Sequence, residues 1–452
     1  MVITYILLVV LFTHIVLFKK LIFKWNIFGV FFVSTIIFAV TGVLAFPFFK
    51  SYFFRAFVSF KLEIISDSDI IQTQIILVCG LLLVLYAYMF GMILLYGKVK
   101  CINHLNFRES ISDNLSNTNY YFITVLIVLF VFAYLFVNRD VVLTGIAQGM
   151  LGREPDALLE SRRGITSNYL YTVIVYNILP FLTIVSLYKS IKKSTLYSRV
   201  SFLILFSISF FLILMLFQKR PLIIFMLSLL LAGYVFRGNL ITKKTKTKVL
   251  SKRQKRRKYI IYLGFLFSLL LILYYSATTY QFQNLFEAIL KLSEIVLTRV
   301  FGRLSIPAFM YTHYFSEVGG HYGFTNIGML SSVFGFEHFE DTKTLYTYFS
   351  RSDKDGSLAI NSIMDFYGGF GYPGLLVGNV MLGFLLAVLE RVLNTLEKNN
   401  INMVFTIFCF VFAYYLSQAS LPRALMGYGF VFFILMWLML QKRFKIKLRK
   451  FA

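Results

Sequence analysis

Two arginines four residues apart, Arg299 and Arg303, are the first candidates for chemistry in this chain. They belong to the segment from Gln281 to Leu304, whose apolar residues have the spacing of an amphipathic helix. At about 100° per residue, both arginines project on the side of the apolar stripe, away from the charged face. Guanidinium groups that face protein are costly unless an anion meets them. The pair therefore predicts an anion site; the alternative is that the stems cover apolar surface while the heads reach water.

Four further segments between apolar runs also present arginine or lysine. A planar guanidinium suits phosphate oxygens. The tight QKRPLI turn does not require cations for its own formation, so the lysine and arginine in it indicate another role. A cationic pocket beside apolar helices would fit an anionic lipid head group, above all a diphosphate on a polyisoprenoid. The residues are Arg153, Arg162 and Arg163; Lys219 and Arg220; Arg351 and Lys354; and Arg423.

The segment 278–370 holds nine of the chain's 20 acidic residues together with three histidines, His313, His321 and His338. Histidine or carboxylate side chains there could act as a general base. The segment has no HExxH or other metal-ligand spacing, so we expect no metal and no cofactor.

Composition shows which elements must carry these residues. The chain is 58% hydrophobic and only 14% charged, and its repeated apolar runs indicate helices that cross a bilayer. We predict an all-α polytopic integral membrane protein with about eleven spans. The predicted spans are 2–18, 26–48, 70–96, 119–137, 168–188, 200–217, 221–236, 259–277, 371–391, 402–418 and 425–440.

Lysine and arginine set the predicted orientation. The formal net charge is +25, and the excess falls on alternate connections, above all 237–258 and the tail, which must be cytoplasmic. The amino terminus is then periplasmic and the carboxyl terminus cytoplasmic. A basic loop between two spans is a topogenic and lipid-facing signal, so we expect membrane lipids and no nucleic acid as partners.

Three regions follow from this topology. The first eight spans occupy 1–277, with an outer loop at 138–167; a large outer loop with amphipathic helices occupies 278–370; the last three spans and a basic tail occupy 371–452. Gly368, Gly369 and Gly371 predict a bent entry into the ninth span. The Gly374-xxx-Gly378 spacing predicts close helix packing within it.

The layout resembles the Wzy-type O-antigen polymerases, the oligosaccharide repeat-unit polymerase family. The resemblance lies in the QKRPLI turn, the FGRLSIPAFMYTHYF segment, the long outer loop and its DFYGGFGYPG exit. The spacing Arg153-x10-Gly164 also matches an arginine–glycine pattern of these polymerases, although the large loop has no clean second copy.

The resemblance implies a GT-C-like helical bundle in the bacterial inner membrane. It implies metal-independent glycosyl transfer, on the periplasmic face, between oligosaccharide units linked to undecaprenyl diphosphate. Arginines and lysines would stabilise the leaving diphosphate, and His321 and Asp365 are candidates for the base. A chain-length regulator and a flippase of the same pathway are the expected protein partners. The diphosphate-binding candidates are Arg153, Arg163, Lys219, Arg220, Arg299, Arg303 and Arg423.

Two other readings stay open. An O-antigen ligase-like enzyme would use similar chemistry, with a catalytic histidine in a comparable loop. A lipid-linked oligosaccharide flippase or another transporter would carry ionisable residues or broken helices within its spans and would show repeated halves.

Overall fold

The computed structural model describes residues 1–104, 112–151, 163–166, 168–193, 195–215, 219–244, 284–302, 304–351 and 356–442, with the single positions 264 and 268. The structure is 81% helical, with no strands in the ranges described. It is an all-α architecture, as predicted. The predicted span 259–277 and most of the basic loop 237–258 lie outside the described residues, as does the tail from 443.

Within the described residues, six helices are long and apolar enough to cross a membrane, and four shorter apolar helices coincide with other predicted spans. The six long helices are α3 (Ile27–Phe48), α5 (Asp67–Tyr96), α6 (Asn117–Val137), α8 (Tyr169–Lys193), α9 (Leu196–Met215) and α15 (Ser362–Thr395). The helices that contain the shorter apolar stretches are α1 (Val2–Leu17), α10 (Lys219–Lys244), α16 (Asn400–Leu416) and α17 (Phe430–Leu440).

The remaining helices lie between these. They are α2 (Lys19–Ile22), α4 (Lys50–Ala56), α7 (Arg139–Leu151), α11 (Leu285–Gly302), α12 (Ser305–His313), α13 (Gly328–Phe334) and α14 (Asp341–Phe349). The amphipathic helix predicted over 281–304 is therefore confirmed as α11. Helix α10 extends past the predicted span end, because the residues that follow position 236 include no proline that would stop it.

The chain divides into two compact units. Unit 1 comprises Met1–His104, Glu294–Asn394 and Phe412–Leu425, and unit 2 comprises Leu105–Ser293, Thr395–Val411 and Met426–Ala452.

Unit 1 is built around α5 and α15. The two helices run parallel, because Gln72 near the start of α5 donates to Tyr367 near the start of α15, while Arg391 near the end of α15 donates to the Leu95 carbonyl. Small residues bring the backbones together: a Cβ added at Gly383 would lie 2.6 Å from the Ala87 Cβ. This is the close approach that membrane helices obtain from glycine.

Helix α12 fills the space beside α3 and α5. Every residue from Ser305 to Thr312 is buried, although the segment contains a proline and several polar side chains. The Thr312 hydroxyl accepts a hydrogen bond from the Thr73 hydroxyl of α5 at 2.8 Å. Residues Leu304 to Thr312 of the FGRLSIPAFMYTHYF segment are thus part of the core of unit 1.

Gly371 bends α15 sharply, with φ 65° and ψ −147°. This backbone conformation favours glycine, and it confirms the predicted bend. Gly374 and Gly378 have a different role from the predicted one. They accommodate Phe366 and Phe370 of their own helix, folded back across the bend, whereas the helix-packing glycines are Gly80, Gly91 and Gly383.

In unit 2, α8 packs against α9 and α10, and α17 packs against α6. A π-helical turn, Ile174–Ile178, interrupts α8. Gly429 precedes α17 with a φ of 72°, where a Cβ would collide with Asn177.

Candidate functional site

Two buried carboxyl groups, Asp341 and Asp365, lie at the N-terminal end of α15 in unit 1. Asp365 Oδ1 accepts hydrogen bonds from the Tyr322 hydroxyl at 2.8 Å and from Asn326 Nδ2 at 3.0 Å. Asp341 Oδ2 accepts one from the Tyr311 hydroxyl. The charges of the two carboxyl groups act on one another. We call these five residues the carboxyl network.

Main-chain contacts hold the network in place. The Tyr322 and Gly323 amides donate to the Gly368 and Gly369 carbonyls, so the loop carrying Tyr322 is fixed to the first turns of α15. The close approach needs glycine, because a Cβ at Gly368 would lie 3.0 Å from both the Tyr311 and the Tyr322 rings. The predicted glycine cluster therefore positions Asp365 against its donors.

Burial sets the protonation of the network. It raises the pKa of Asp341, and the Tyr311 hydrogen bond and the Arg423 charge oppose that rise. Burial also raises the pKa of the Tyr322 phenol, and the Asp365 charge adds to the effect. The tyrosines consequently remain donors at neutral pH, and Asp341 keeps its proton to a higher pH than a surface aspartate does.

Arg423 brings an exposed guanidinium to this cluster. Its Nη2 lies 3.4 Å from the Thr342 hydroxyl, next to Asp341, and its charge acts on both carboxyl groups. The π-helical turn Arg423–Gly427 carries it, and the Ser420 hydroxyl accepts from its amide at 3.3 Å. Of the predicted cations, Arg423 is thus placed beside the predicted Asp365.

His321 lies on the bend of α15. Its Nδ1 is 3.2 Å from the Gly368 carbonyl oxygen, so Nδ1 carries the proton in this contact and Nε2 has a free lone pair. The imidazole is exposed and stands edge-on to Tyr367. Gly371 makes room for it, because a Cβ there would lie 2.7 Å from Nε2. His321 and Asp365 share one end of α15 and have separate hydrogen-bond partners.

A second histidine is oriented by a carboxylate. His313 Nδ1 lies 2.9 Å from Asp69 Oδ2. The same oxygen accepts from the Ser66 amide and hydroxyl, both at 2.8 Å, in the capping box that begins α5. A buried carboxylate that fixes one imidazole nitrogen leaves the other poised to take a proton.

An open groove of about 710 Å³ runs beside α14. Its lining combines aromatic rings with carboxylates and an ammonium group: Tyr314, Tyr348, Glu337, Glu340 and Lys343 among others. Rings and charged hydrogen-bonding groups of this kind suit a polar, ring-shaped ligand such as a sugar.

The carboxyl network, the histidine–aspartate pair and the groove meet at the end of α12. Tyr311 reaches Asp341, His313 reaches Asp69, and Tyr314 lines the groove. Within four consecutive positions, Tyr311 thus supplies a proton donor, His313 a proton acceptor and Tyr314 an aromatic wall.

Three of the predicted cations in the described residues belong to unit 2. Arg220 stacks on the Tyr428 ring, 4.7 Å from its centroid, and its Nη1 lies 2.9 Å from the Tyr428 hydroxyl. Arg163 is exposed on a short helical turn. Lys219 begins α10, and its side chain is outside the described part of the chain.

Two further predicted cations in the described residues, Arg299 and Arg351, are not gathered at the cluster. Arg299 lies on α11 and its side chain is exposed, which agrees with the alternative that the head reaches solvent rather than an enclosed site. Arg351 pairs with Glu63 at 2.7 Å, and both are about half exposed. The predicted Arg153, Arg162, Arg303 and Lys354 lie outside the described residues.

Comparison with protein-family models, with curated proteins and with solved structures gives no match. The site therefore stands on its own geometry.

Sequence reasoning missed Asp69, Asp341 and the two tyrosine donors. Ser66 and Asp69 do form a capping-box pattern, which signals a helix start but no histidine partner. Tyr311 and Tyr322 carried no signal, because the chain holds 29 tyrosines and these two are set apart by their hydrogen bonds to Asp341 and Asp365.

Proposed function

We propose that this chain joins oligosaccharide units linked to undecaprenyl diphosphate into a surface polysaccharide such as O-antigen, by glycosyl transfer on the periplasmic face of the bacterial inner membrane. The observation that carries the proposal is Arg423, an exposed guanidinium over two buried carboxyl groups, beside an aromatic and acidic groove.

The groove would hold sugars and Arg423 would meet the diphosphate. Tyr314 and Tyr348 offer ring faces, and Glu337 and Glu340 offer acceptors for sugar hydroxyls. The guanidinium provides paired donors for phosphate oxygens, and its hydrogen bond to the Thr342 hydroxyl keeps it turned towards the cluster.

In the reaction, an acceptor hydroxyl attacks the anomeric carbon of the donor glycan. The new C–O bond forms as the bond to the diphosphate breaks, and the diphosphate leaves with the electron pair. Arg423 stabilises the charge that grows on the leaving group, which is the kind of interaction that lowers a barrier most.

The hydroxyl proton needs an acceptor, and we assign it to His313. Asp69 orients the ring and would stabilise the imidazolium, whereas His321 is held only by a neutral carbonyl. Asp365 is buried, and its Oδ1 is already engaged by Tyr322 and Asn326. His321 stays a prediction as the competing base.

The histidine–aspartate pair also favours a second candidate, transfer of finished chains by an O-antigen ligase-like enzyme. The two are separated by the surface-glycan ladder of cells that lack this gene. Core with a single repeat unit indicates the polymerase, and bare core indicates the ligase or a flippase. An unchanged ladder in the deletion strain contradicts all three.

Arg423→Ala tests the assignment of the site. We expect roughly a hundredfold loss of polymer at normal abundance, the usual effect of removing one electrostatic stabiliser, with partial recovery in Arg423→Lys. Arg351→Ala is the matched control, because Arg351 is also an exposed arginine of unit 1 but pairs with a surface glutamate. Equal effects of Arg423→Ala and Arg351→Ala would contradict the assignment.

A further inference from the structure

The stretch between His321 and Glu337 contains no charged residue, although it lies within the most acidic region of the chain. Four of its apolar side chains are largely exposed: Phe324 at 60%, Val333 at 70%, Phe334 at 66% and Phe336 at 59%. An exposed apolar patch on this scale marks a binding surface rather than a solvated loop.

The stretch is a closed and ordered projection. At its neck, the Phe339 amide donates to the Thr325 carbonyl at 3.1 Å, and His338 Nδ1 lies 2.9 Å from the same oxygen. At its tip, α13 ends at Gly335, which has a φ of 69°, and the Phe336 amide closes the turn on the Ser331 carbonyl. We call residues 324–336 the apolar finger.

The finger is attached to the end of a helix that can cross a membrane. The Gly323 amide donates to the Gly369 carbonyl of α15 at 2.7 Å. The Phe324 ring meets the Phe370 ring edge-on at 4.7 Å. The finger thus begins where α15 begins.

Exposed apolar surface is continuous from the finger onto α15. Beyond Phe370, the exposed apolar side chains of α15 include Tyr372, Leu376, Val377 and Met381. On a membrane-crossing helix, exposed apolar side chains of this kind are accommodated by the acyl chains of the bilayer. The Phe324–Phe370 contact joins this lipid-facing side to the finger.

We infer that the apolar finger inserts into the bilayer leaflet at the N-terminal end of α15, with its phenyl rings among the acyl chains. The polar side chains on either side mark the depth limit: His321 at one end, and Glu337 and His338 at the other, stay at the polar surface. The inference concerns lipid contact alone and holds whatever reaction the site performs.

Spin labels on a cysteine-free background, reconstituted in phosphatidylcholine–phosphatidylglycerol bilayers, test it. The background replaces Cys79, Cys101 and Cys409 with alanine in the full chain. Labels are placed at Phe334→Cys and, independently, at Val333→Cys, so that failure of one variant does not end the test. Accessibility is measured to oxygen, which concentrates in lipid, and to a water-soluble nickel complex.

We expect both finger labels to show a several-fold higher oxygen-to-nickel ratio than Thr347→Cys, an exposed position lining the groove. They should approach the ratio at Met381→Cys on α15. A ratio equal to that of Thr347→Cys would place the finger in water and overturn the inference. Low accessibility to both reagents, with spin–spin broadening between copies, would overturn it in favour of a contact between two chains.

Discussion

Unit 1 contains two histidine–carboxylate pairs at opposite ends of α5 and α15, and they differ in what surrounds them. At the C-terminal ends, His104 Nε2 lies 2.7 Å from Glu390 Oε1, and the other oxygen of the fully buried Glu390 accepts from the Ile27 amide at 3.0 Å. At the N-terminal ends, the His313 side chain is 14% exposed, and Asp69 is its one hydrogen-bond partner in the described chain.

The two pairs differ in how completely the surrounding residues enclose them. Glu390 uses both oxygens to tie the start of α3, the residues after α5 and the end of α15 together, so the pair can only hold the fold. The Asp69 carboxylate is equally well held, by Ser66, and the His313 side chain that it orients is more exposed than that of His104, at 14% against 8%. Under the proposed function, a histidine–carboxylate pair can thus serve packing or proton transfer, depending on whether the second ring nitrogen can be reached.

The largest effect is expected at the buried His104–Glu390 pair. Glu390→Ala leaves His104 and the Ile27 amide buried without their acceptor, and breaking a buried pair costs about 3–5 kcal/mol. The fraction of monodisperse protein after heating in detergent measures the loss. Glu397→Ala, an exposed glutamate nearby, is the control and should behave as wild type. A Glu390→Ala protein as heat-resistant as its control would remove the distinction between the pairs.

A substitution in the His313–Asp69 pair should affect the reaction more than the fold. We expect His313→Gln to lower polymer formation about a hundredfold, the usual contribution of a general base, with abundance near normal. The ladder and the protein level are measured in the same cells. His14→Gln is the control, since that ring lies on α1, where it contacts the Val10 carbonyl and the Tyr86 hydroxyl. A fall in abundance that matches Glu390→Ala would make both pairs structural, and a loss seen with His321→Gln instead would move the base to His321.

Helix positions could be predicted from the sequence because each depends on a local apolar run, as α5 and α15 do. The bend was predictable for the same reason, because the glycines that allow it can be identified from the local sequence. The pairs were not, because the partners are 244 residues apart for Asp69 and His313 and 286 apart for His104 and Glu390. The Gly374 prediction was wrong because spacing identifies a small-residue stripe but not the surface against which it lies.

A smaller effect is expected at the third histidine, His321, whose partner is a carbonyl. Gly371→Ala forces a side chain into a left-handed conformation at about 1–2 kcal/mol and pushes on the His321 ring. Thermal unfolding in detergent measures the cost. Gly320→Ala, where a Cβ meets nothing within 4 Å, should be neutral. An unchanged thermal unfolding temperature for Gly371→Ala would show that the bend is not held as described.

The smallest effect concerns pH. Burial raises the pKa of Asp341, so the folded state holds that proton more tightly than the unfolded chain does. The stability from this group is complete below the ordinary aspartate pKa and is lost as pH rises through the raised one. Asp341→Asn, which cannot ionise, should lose less stability than wild type over that window. Melting temperatures from acidic to neutral buffers measure this, and parallel curves would contradict it.

The glycine contact between α5 and α15 has a consequence for synthesis. These helices form the centre of unit 1, yet α5 lies within Met1–His104 and α15 within Glu294–Asn394. The ribosome therefore delivers one half of this interface long before the other. Until α15 emerges, the surface around Gly80 and Gly91 must stay covered by lipid or by the insertion machinery. The order of translation, rather than the stability of the individual helices, therefore sets when unit 1 can assemble.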